Sequence, residues 1–449
     1  MLEYLFVVAV SQAHAASPRA VPGWAQAWSF STTAAPTPPQ CPRPERAARE
    51  PRPEPAARSW PTWEVDGAGG APGAGVPAEV AHNAAAAATL VGGELSGNPA
   101  DIRRVREAVA TATPRVGFWG DSHAARGPLV ARFREVLAGR AGDGGVGFVA
   151  APRPGQKVSV PGVTVCATGT WDRRWAWAAA APGGEAFGPT GNVAEASTAA
   201  DGGWLHVVNA TRLSLAFERG PTTGSLAVSV DGSVPVRVLT AGEGPGVAGF
   251  SLPPGPHLLT YQLLGDAPVR LVGTFVETGD AGVVVDNLAV SGSVASTWRK
   301  WAPTPLRSWL DWLDYDLIVL EYGTNEASNP ALTLESYRDE VRWTLAGVRA
   351  VLPSVACLLV GPPDRAVRRD KDRFAVFQAI GWIGEAQATV GREFGCAWWG
   401  MQPAMGGPGA VVAWGNSDPP RMARDYTHFA EVGARAVGEA LATAVAASP

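Results

Sequence analysis

Charge is scarce in this 449-residue chain. Asp, Glu, Lys and Arg make up 17%, against about 25% in an average soluble protein. The 41 carboxylates outnumber the 37 Lys and Arg, for a net charge of −4. No basic excess exists to neutralise a phosphate backbone, which argues against a general nucleic-acid binder. No run of about 18 apolar residues occurs, so the sequence contains no candidate spanning helix. The four cysteines, Cys41, Cys166, Cys357 and Cys396, are too few for a disulfide scaffold and lack the CxxC spacing of a structural zinc site. Cys357 and Cys396 fall on neighbouring candidate strands, where a disulfide can form in an exported protein, although four cysteines allow three full pairings. Hydrophobic residues, at 46%, suffice for a sizeable core, while 53 glycines and 39 prolines call for long loops or linkers. The length suggests roughly three units, or two with a tail.

The amino end carries a short apolar run, Leu5 to Val10, and Ala13-His14-Ala15 fits a small-residue cleavage site. Residues 1–15 thus read as a candidate signal segment, with Glu3 standing where a positive charge is expected. Residues 16–90 hold thirteen prolines between Ser17 and Val80. Such a stretch buries too little apolar surface to offset its ordering entropy, so it reads as a disordered linker. Trp24, Trp28, Trp60 and Trp63 are unusual for a pure tether.

The remainder divides into three stretches. In 91–156, Asn98-Pro99 opens a helix, and Arg115 to Trp119 forms a strand that breaks at Gly120-Asp121-Ser122-His123. A second helix follows through Leu129, Val130, Phe133 and Val136. In 157–279 the period becomes two: Leu213, Leu215 and Phe217 alternate with polar or small residues. Asp231-Gly232 between two alternating runs signals a hairpin. This region reads as an antiparallel β-sandwich. In 280–449 the α/β rhythm returns. Val283–Val285, Leu317–Leu320 and Ala356–Val360 are continuous apolar runs of buried parallel strands, and Phe374, Phe377 and Ile383 mark a helix. An α/β domain is therefore interrupted by a β module.

Three segments carry chemistry, and in an open α/β sheet ligands sit beyond the carboxyl ends of strands. Ser122 lies on a strand-to-helix turn that Gly120 permits to be tight. Asn325, after Gly323-Thr324, offers a side-chain amide to a developing oxyanion. In Asp425-Tyr426-Thr427-His428, a carboxylate three residues before an imidazole can fix its tautomer, leaving the other nitrogen to take a serine proton. Taken singly, each segment also fits a turn residue, a helix cap or a satisfied buried histidine.

In that order, with a mid-chain glycine, Gly292, the blocks resemble the SGNH or GDSL hydrolase family. The resemblance implies a flavodoxin-like three-layer α/β/α fold with a parallel sheet, here interrupted by a jelly-roll-like β insertion. It implies Ser122 as nucleophile, His428 as base and Asp425 as its orienting partner. The Ser122 and Gly292 N–H groups and the Asn325 side chain would form the oxyanion hole, with no metal or organic cofactor required. His123 after the serine, Glu326 after Asn325, Gly142 to Phe148, and Ala404 to Gly409 with Trp414 are similar to the bacterial peptidoglycan O-acetylesterase group. That similarity implies removal of acetyl from the C6 hydroxyl of N-acetylmuramoyl residues by a secreted or periplasmic protein, with O-acetylated glycan as partner. An O-acetyltransferase using the same triad, an esterase acting on another polysaccharide such as xylan, and a non-catalytic glycan-binding wall protein stand as alternatives. Oligomeric state is not legible.

Other residues read as structural. His82, His206 and His257 are scattered, and Asp121 serves its own turn. Trp171, Trp175, Trp177 and Trp204 suit a core or interface better than sugar stacking. The charged stretch Arg365, Arg368, Arg369, Asp370, Lys371, Asp372, Arg373 is expected as a solvated loop and helix start.

Overall fold

The computed structural model describes residues 25–31, 37–41, 61–67, 75–154, 160–176, 186–279 and 281–447. The candidate signal segment, Trp24, Trp60 and Trp177 lie outside the described residues.

Five parallel strands make the central sheet, in spatial order Val284–Asn287, Arg115–Gly120, Leu317–Glu321, Ala356–Gly361, Ala397–Gly400. In chain order this is 2-1-3-4-5, the flavodoxin-like arrangement. Each strand is apolar on both sides because helices cover both faces. Val116, Phe118, Leu317, Val319, Leu358 and Val360 face the helices Pro99–Val109, Pro128–Ala141 and Glu431–Val445. Trp119, Ile318, Leu320, Cys357 and Leu359 face Pro303–Leu313, Leu334–Val351 and Ala379–Glu393. Cys357 is disulfide-bonded to Cys396 just ahead of the neighbouring edge strand.

The β region forms one ten-stranded sheet, largely antiparallel. Its two long strands, Gly202–Glu218 and Pro245–Leu263, pair along most of their length, with register shifts at Ser251, Gly255 and His257. They curl the sheet around Leu205, Val207, Leu215, Phe217, Val228 and Leu259. Ser225–Val230 and Val236–Leu239 form the hairpin expected at Asp231-Gly232, both residues having positive φ. The sheet already includes Gly147–Ala150, paired with Gly273–Val276, ahead of the boundary read at residue 157. It also shares a core with the α/β unit, since Phe148, Val193, Val272 and Phe275 cluster with Trp309 and Leu310. At the junction the buried Arg115 guanidinium bonds Glu277 and Asp286, each at 2.7 Å.

Two sequence expectations are corrected. Parts of the 16–90 stretch are not linker but lie docked on the body. Ala25–Ser29 adds as a parallel strand to Val247–Ser251, with Trp28 stacked on Phe250 at 5.4 Å. Cys41 is disulfide-bonded to Cys166. Thr62–Asp66 pairs with Arg373–Phe377, and helix Ala78–Ala85 packs on Ala410–Asn416. These segments need no core of their own, because their few apolar side chains, such as Val65 and Val80, are buried against surfaces already formed. The second correction concerns Phe374 and Phe377, which lie on the strand Arg373–Phe377. Its partner comes from the amino-terminal segment, so local periodicity could not reveal it; the helix starts only at Ala379.

Candidate active site

Ser122 lies just beyond the strand Arg115–Gly120, and Asn325 just beyond the adjacent Leu317–Glu321. The Gly292 turn follows Val284–Asn287 on the other side. Three neighbouring carboxyl ends therefore bring these residues together. At Gly120 an added Cβ would stand 2.5 Å from Oε2 of Glu321, which explains why glycine precedes the turn. Asp121 caps the short helix Ser122–Ala125 by accepting the His123 N–H at 2.9 Å. Gly127, at φ +101°, then resets the chain into the helix Pro128–Ala141.

Asp425 and His428 arrive on a tight loop before the last helix. The Ala423 N–H donates to the His428 carbonyl and the Ala430 N–H to that of Arg421. Tyr426 takes a left-handed φ of 50°. Its ring is buried and its hydroxyl donates to Asn416 at 2.9 Å, so packing holds the strained turn. Ser122 Oγ lies 2.8 Å from His428 Nε2, and His428 Nδ1 lies 2.7 Å from Asp425 Oδ2. The other Asp425 oxygen accepts the backbone N–H groups of Thr427 and His428. Partial burial pushes the Asp425 carboxyl up, but these hydrogen bonds prevail and hold it well below the usual carboxylate range. Ser122 is buried, while the His428 and Asp425 side chains are 23% and 48% exposed, so the site opens to solvent on the histidine side.

Asn325 Nδ2 donates to the Ser293 carbonyl at 2.9 Å, tying its loop to the Gly292 turn. The amide has a second hydrogen for another acceptor. The Gly292 turn is braced on the serine strand, since both the Val290 N–H and Ser293 Oγ donate to the Gly120 carbonyl. Gly292 itself is exposed, with φ of +85°. The structure thus links Ser122, His428 and Asp425 directly, and places Asn325 and Gly292 on joined loops beside them.

Sequence reasoning missed Glu321, and noted Asp121, His123 and Glu326 without foreseeing that they lie buried together beneath the site. Glu321 and Asp121 are both fully buried, and the Asp121 N–H donates to Glu321 Oε2 at 3.1 Å. Burial lifts Asp121 to about 6 and also pushes Glu321 well above the usual carboxylate range, with the Asp121 charge adding to the rise in Glu321. Two carboxyls this close do not both ionise readily, so Glu321 keeps a proton. Glu326 accepts the N–H groups of Ala295 and Gly323, and burial lifts it to about 8. His123 is packed between His428 and Phe429, and burial lowers it to about 3, so it stays neutral. A carboxylate ending an apolar run, as in Leu317–Glu321, was the signal available. His257 is a satisfied histidine as expected, with Asp231 and the Pro253 carbonyl each at 2.7 Å.

No protein-family model matches the sequence, and no curated protein sequence matches it. Among solved structures, it is similar to a peptidoglycan O-acetylesterase, with 22% identity and a TM-score of 0.62, covering 78% of this chain and 97% of that one. Matches also include a carbohydrate esterase family 2 enzyme with a carbohydrate binding domain from Corynascus thermopiles (Myceliophthora fergusii), at 15% identity and TM-score 0.28, covering 56% of this chain and 95% of that one. A family two carbohydrate esterase from Cellvibrio japonicus matches at 11% identity and TM-score 0.25, covering 66% and 95%. The first likeness fits the resemblance carried by the sequence blocks, and at this identity it establishes the architecture: the chain shares the fold of that peptidoglycan O-acetylesterase over nearly all of that protein's length.

Proposed function

We propose that this protein is a serine carbohydrate O-acetylesterase, with O-acetylated peptidoglycan as its substrate and the C6 acetyl of N-acetylmuramoyl residues as its target. The observation that carries the reading is the unbroken chain of hydrogen bonds from Ser122 through His428 to Asp425.

A serine hydroxyl is a poor nucleophile at neutral pH and needs an adjacent base. In the proposed reaction, Ser122 Oγ attacks the acetyl carbonyl while His428 Nε2 takes its proton. Asp425 holds Nδ1 protonated and stabilises the imidazolium. The oxyanion is received by the N–H groups of Ser122 and Gly292 and by the second Asn325 hydrogen, each donor contributing on the order of 10²–10³ in rate. Collapse transfers the histidine proton to the departing sugar hydroxyl and leaves acetyl-Ser122. Water, deprotonated by His428, then attacks this ester and releases acetate.

The peptidoglycan preference draws on the named activity of the structural relative. We read residues 91–156 and 280–449 as the hydrolase unit, apart from the strand Gly147–Ala150 that pairs into the curled sheet, and that sheet as an accessory module of jelly-roll type. Export to the periplasm or beyond is supported by the two disulfides, and no helix among the described residues is long and apolar enough to cross a membrane.

The test is acetate release from O-acetylated peptidoglycan, acetylated xylan and a small acetyl ester, with and without a glycan acceptor. Fastest release from peptidoglycan is expected. Faster release from xylan would move the substrate, and transfer to the acceptor outpacing release would make the protein a transferase.

A further inference from the structure

Arg365 was expected in a solvated charged stretch; instead its guanidinium is largely enclosed between two loops of the site. Nε donates to Thr427 Oγ1 at 3.1 Å. Nη1 donates to the Thr324 carbonyl at 3.1 Å and to Ser328 Oγ. The guanidinium stacks on the Phe377 ring, its central carbon 4.5 Å from the centroid. The backbone is pinned as well. The Phe377 N–H donates to the Arg365 carbonyl, and the Ala366 N–H donates to that of Tyr426.

The partners are the informative part. Thr324 immediately precedes Asn325, and Ser328 closes the same loop. Thr427 stands between Asp425 and His428, and its N–H is one of the donors to the Asp425 carboxylate. A single rigid cation therefore joins the loop bearing the amide donor to the loop bearing the base and its orienter. Among the described residues no backbone hydrogen bond runs directly between the two loops. The planar fork of arginine suits such a bridge, whereas a lysine ammonium is one point charge that cannot span both sides. The guanidinium charge also faces Asp425 and Asp121.

We propose that Arg365 is a positioning residue that keeps Asn325 in register with His428 and Asp425, so that oxyanion donation and proton transfer meet at one substrate carbonyl. The proposal rests on the reading of Ser122 and His428 as the reacting pair. Misplacement by about 1 Å at a distance from the chemistry can cost about 10² in rate.

The experiment compares wild type, Arg365→Ala, Arg365→Lys and Ser122→Ala on 4-nitrophenyl acetate, with thermal melting of each. Arg365→Ala is expected to lower kcat by about 10²-fold with little change in KM, and millimolar guanidinium ion is expected to restore part of the loss. Arg365→Lys, which keeps the charge but not the fork, is expected to fall by at least about tenfold and to gain nothing from guanidinium. Wild-type kcat in either folded variant would overturn the proposal. So would a loss confined to KM, or a loss explained by the unfolded fraction with no guanidinium recovery. If Ser122→Ala alone matched wild type, the underlying esterase reading would fail instead, a result distinguishable from failure at Arg365.

Discussion

His428 Nε2 stands 2.8 Å from Ser122 Oγ, although 306 positions separate the two residues. Helix packing produces this meeting. The helix Pro128–Ala141, which follows the serine, lies against Glu431–Val445, which follows the histidine. Ion pairs Arg435–Glu135 and Arg132–Glu439 flank the contact. At its centre Gly438 lets the helices approach closely, since a Cβ there would lie 2.3 Å from the Leu129 carbonyl oxygen.

Gly438→Val is therefore expected to push the last helix outward. Overpacking of this kind typically costs about 1–3 kcal/mol, and the histidine should lose its alignment with the serine. A lowered urea midpoint together with reduced ester turnover is the expected result; unchanged turnover would show that the helix contact does not set the geometry.

Asp425→Asn should leave the loop folded, because an amide oxygen can still accept the Thr427 and His428 N–H groups. Its amide hydrogens then face Nδ1 and favour the wrong tautomer, so kcat should fall by about 10²–10⁴. Steady-state kinetics on a small acetyl ester would check this. A change under about threefold would remove Asp425 from the relay proposed here.

Much of this was legible in the sequence, and the failures have physical causes. Strand ends, the Asp231-Gly232 hairpin and the nucleophile turn follow from local pattern, since apolar runs and turn residues act within a few positions. The amino-terminal strands were not legible. Val65, Trp28 and Cys41 find their partners far along the chain, and no periodicity in a proline-rich stretch announces a pre-existing surface. Arg365 was misread for the same reason. Its neighbours Arg368 to Arg373 are charged and mostly exposed, and only tertiary contact separates a strut from a solvated arginine.

Stability should fall as pH rises above neutrality. Burial raises Glu326 to about 8, and lifts Glu321 well above the usual carboxylate range, so the folded protein binds more protons than the unfolded chain up to about pH 8, and ∂ΔG/∂pH is negative. The contribution is complete below the unfolded carboxyl value of about 4 and is lost as pH passes the folded one. His123, held neutral, acts in the opposite sense only below about 6.5. The unfolding free energy from urea titration should drop between pH 6.5 and 8.5, by on the order of 1–2 kcal/mol for Glu326, and Glu326→Gln should flatten the slope. A wild-type midpoint that rises over this range would contradict the assignment.

The Cys41–Cys166 bond closes 125 positions of chain. Replacing both residues with Ser should cost about 2–4 kcal/mol by freeing the unfolded chain. Thermal melting of the variant in oxidising conditions measures this, and a melting temperature equal to that of wild type would mean the bond contributes nothing.

Everything proposed for this site depends on Ser122 acting as the nucleophile of an esterase. Turnover of a small acetyl ester by the purified protein and by Ser122→Ala tests it directly. Ser122→Ala is expected to lose at least about 10³-fold in kcat with the fold retained; equal rates from the two proteins would contradict a nucleophilic Ser122.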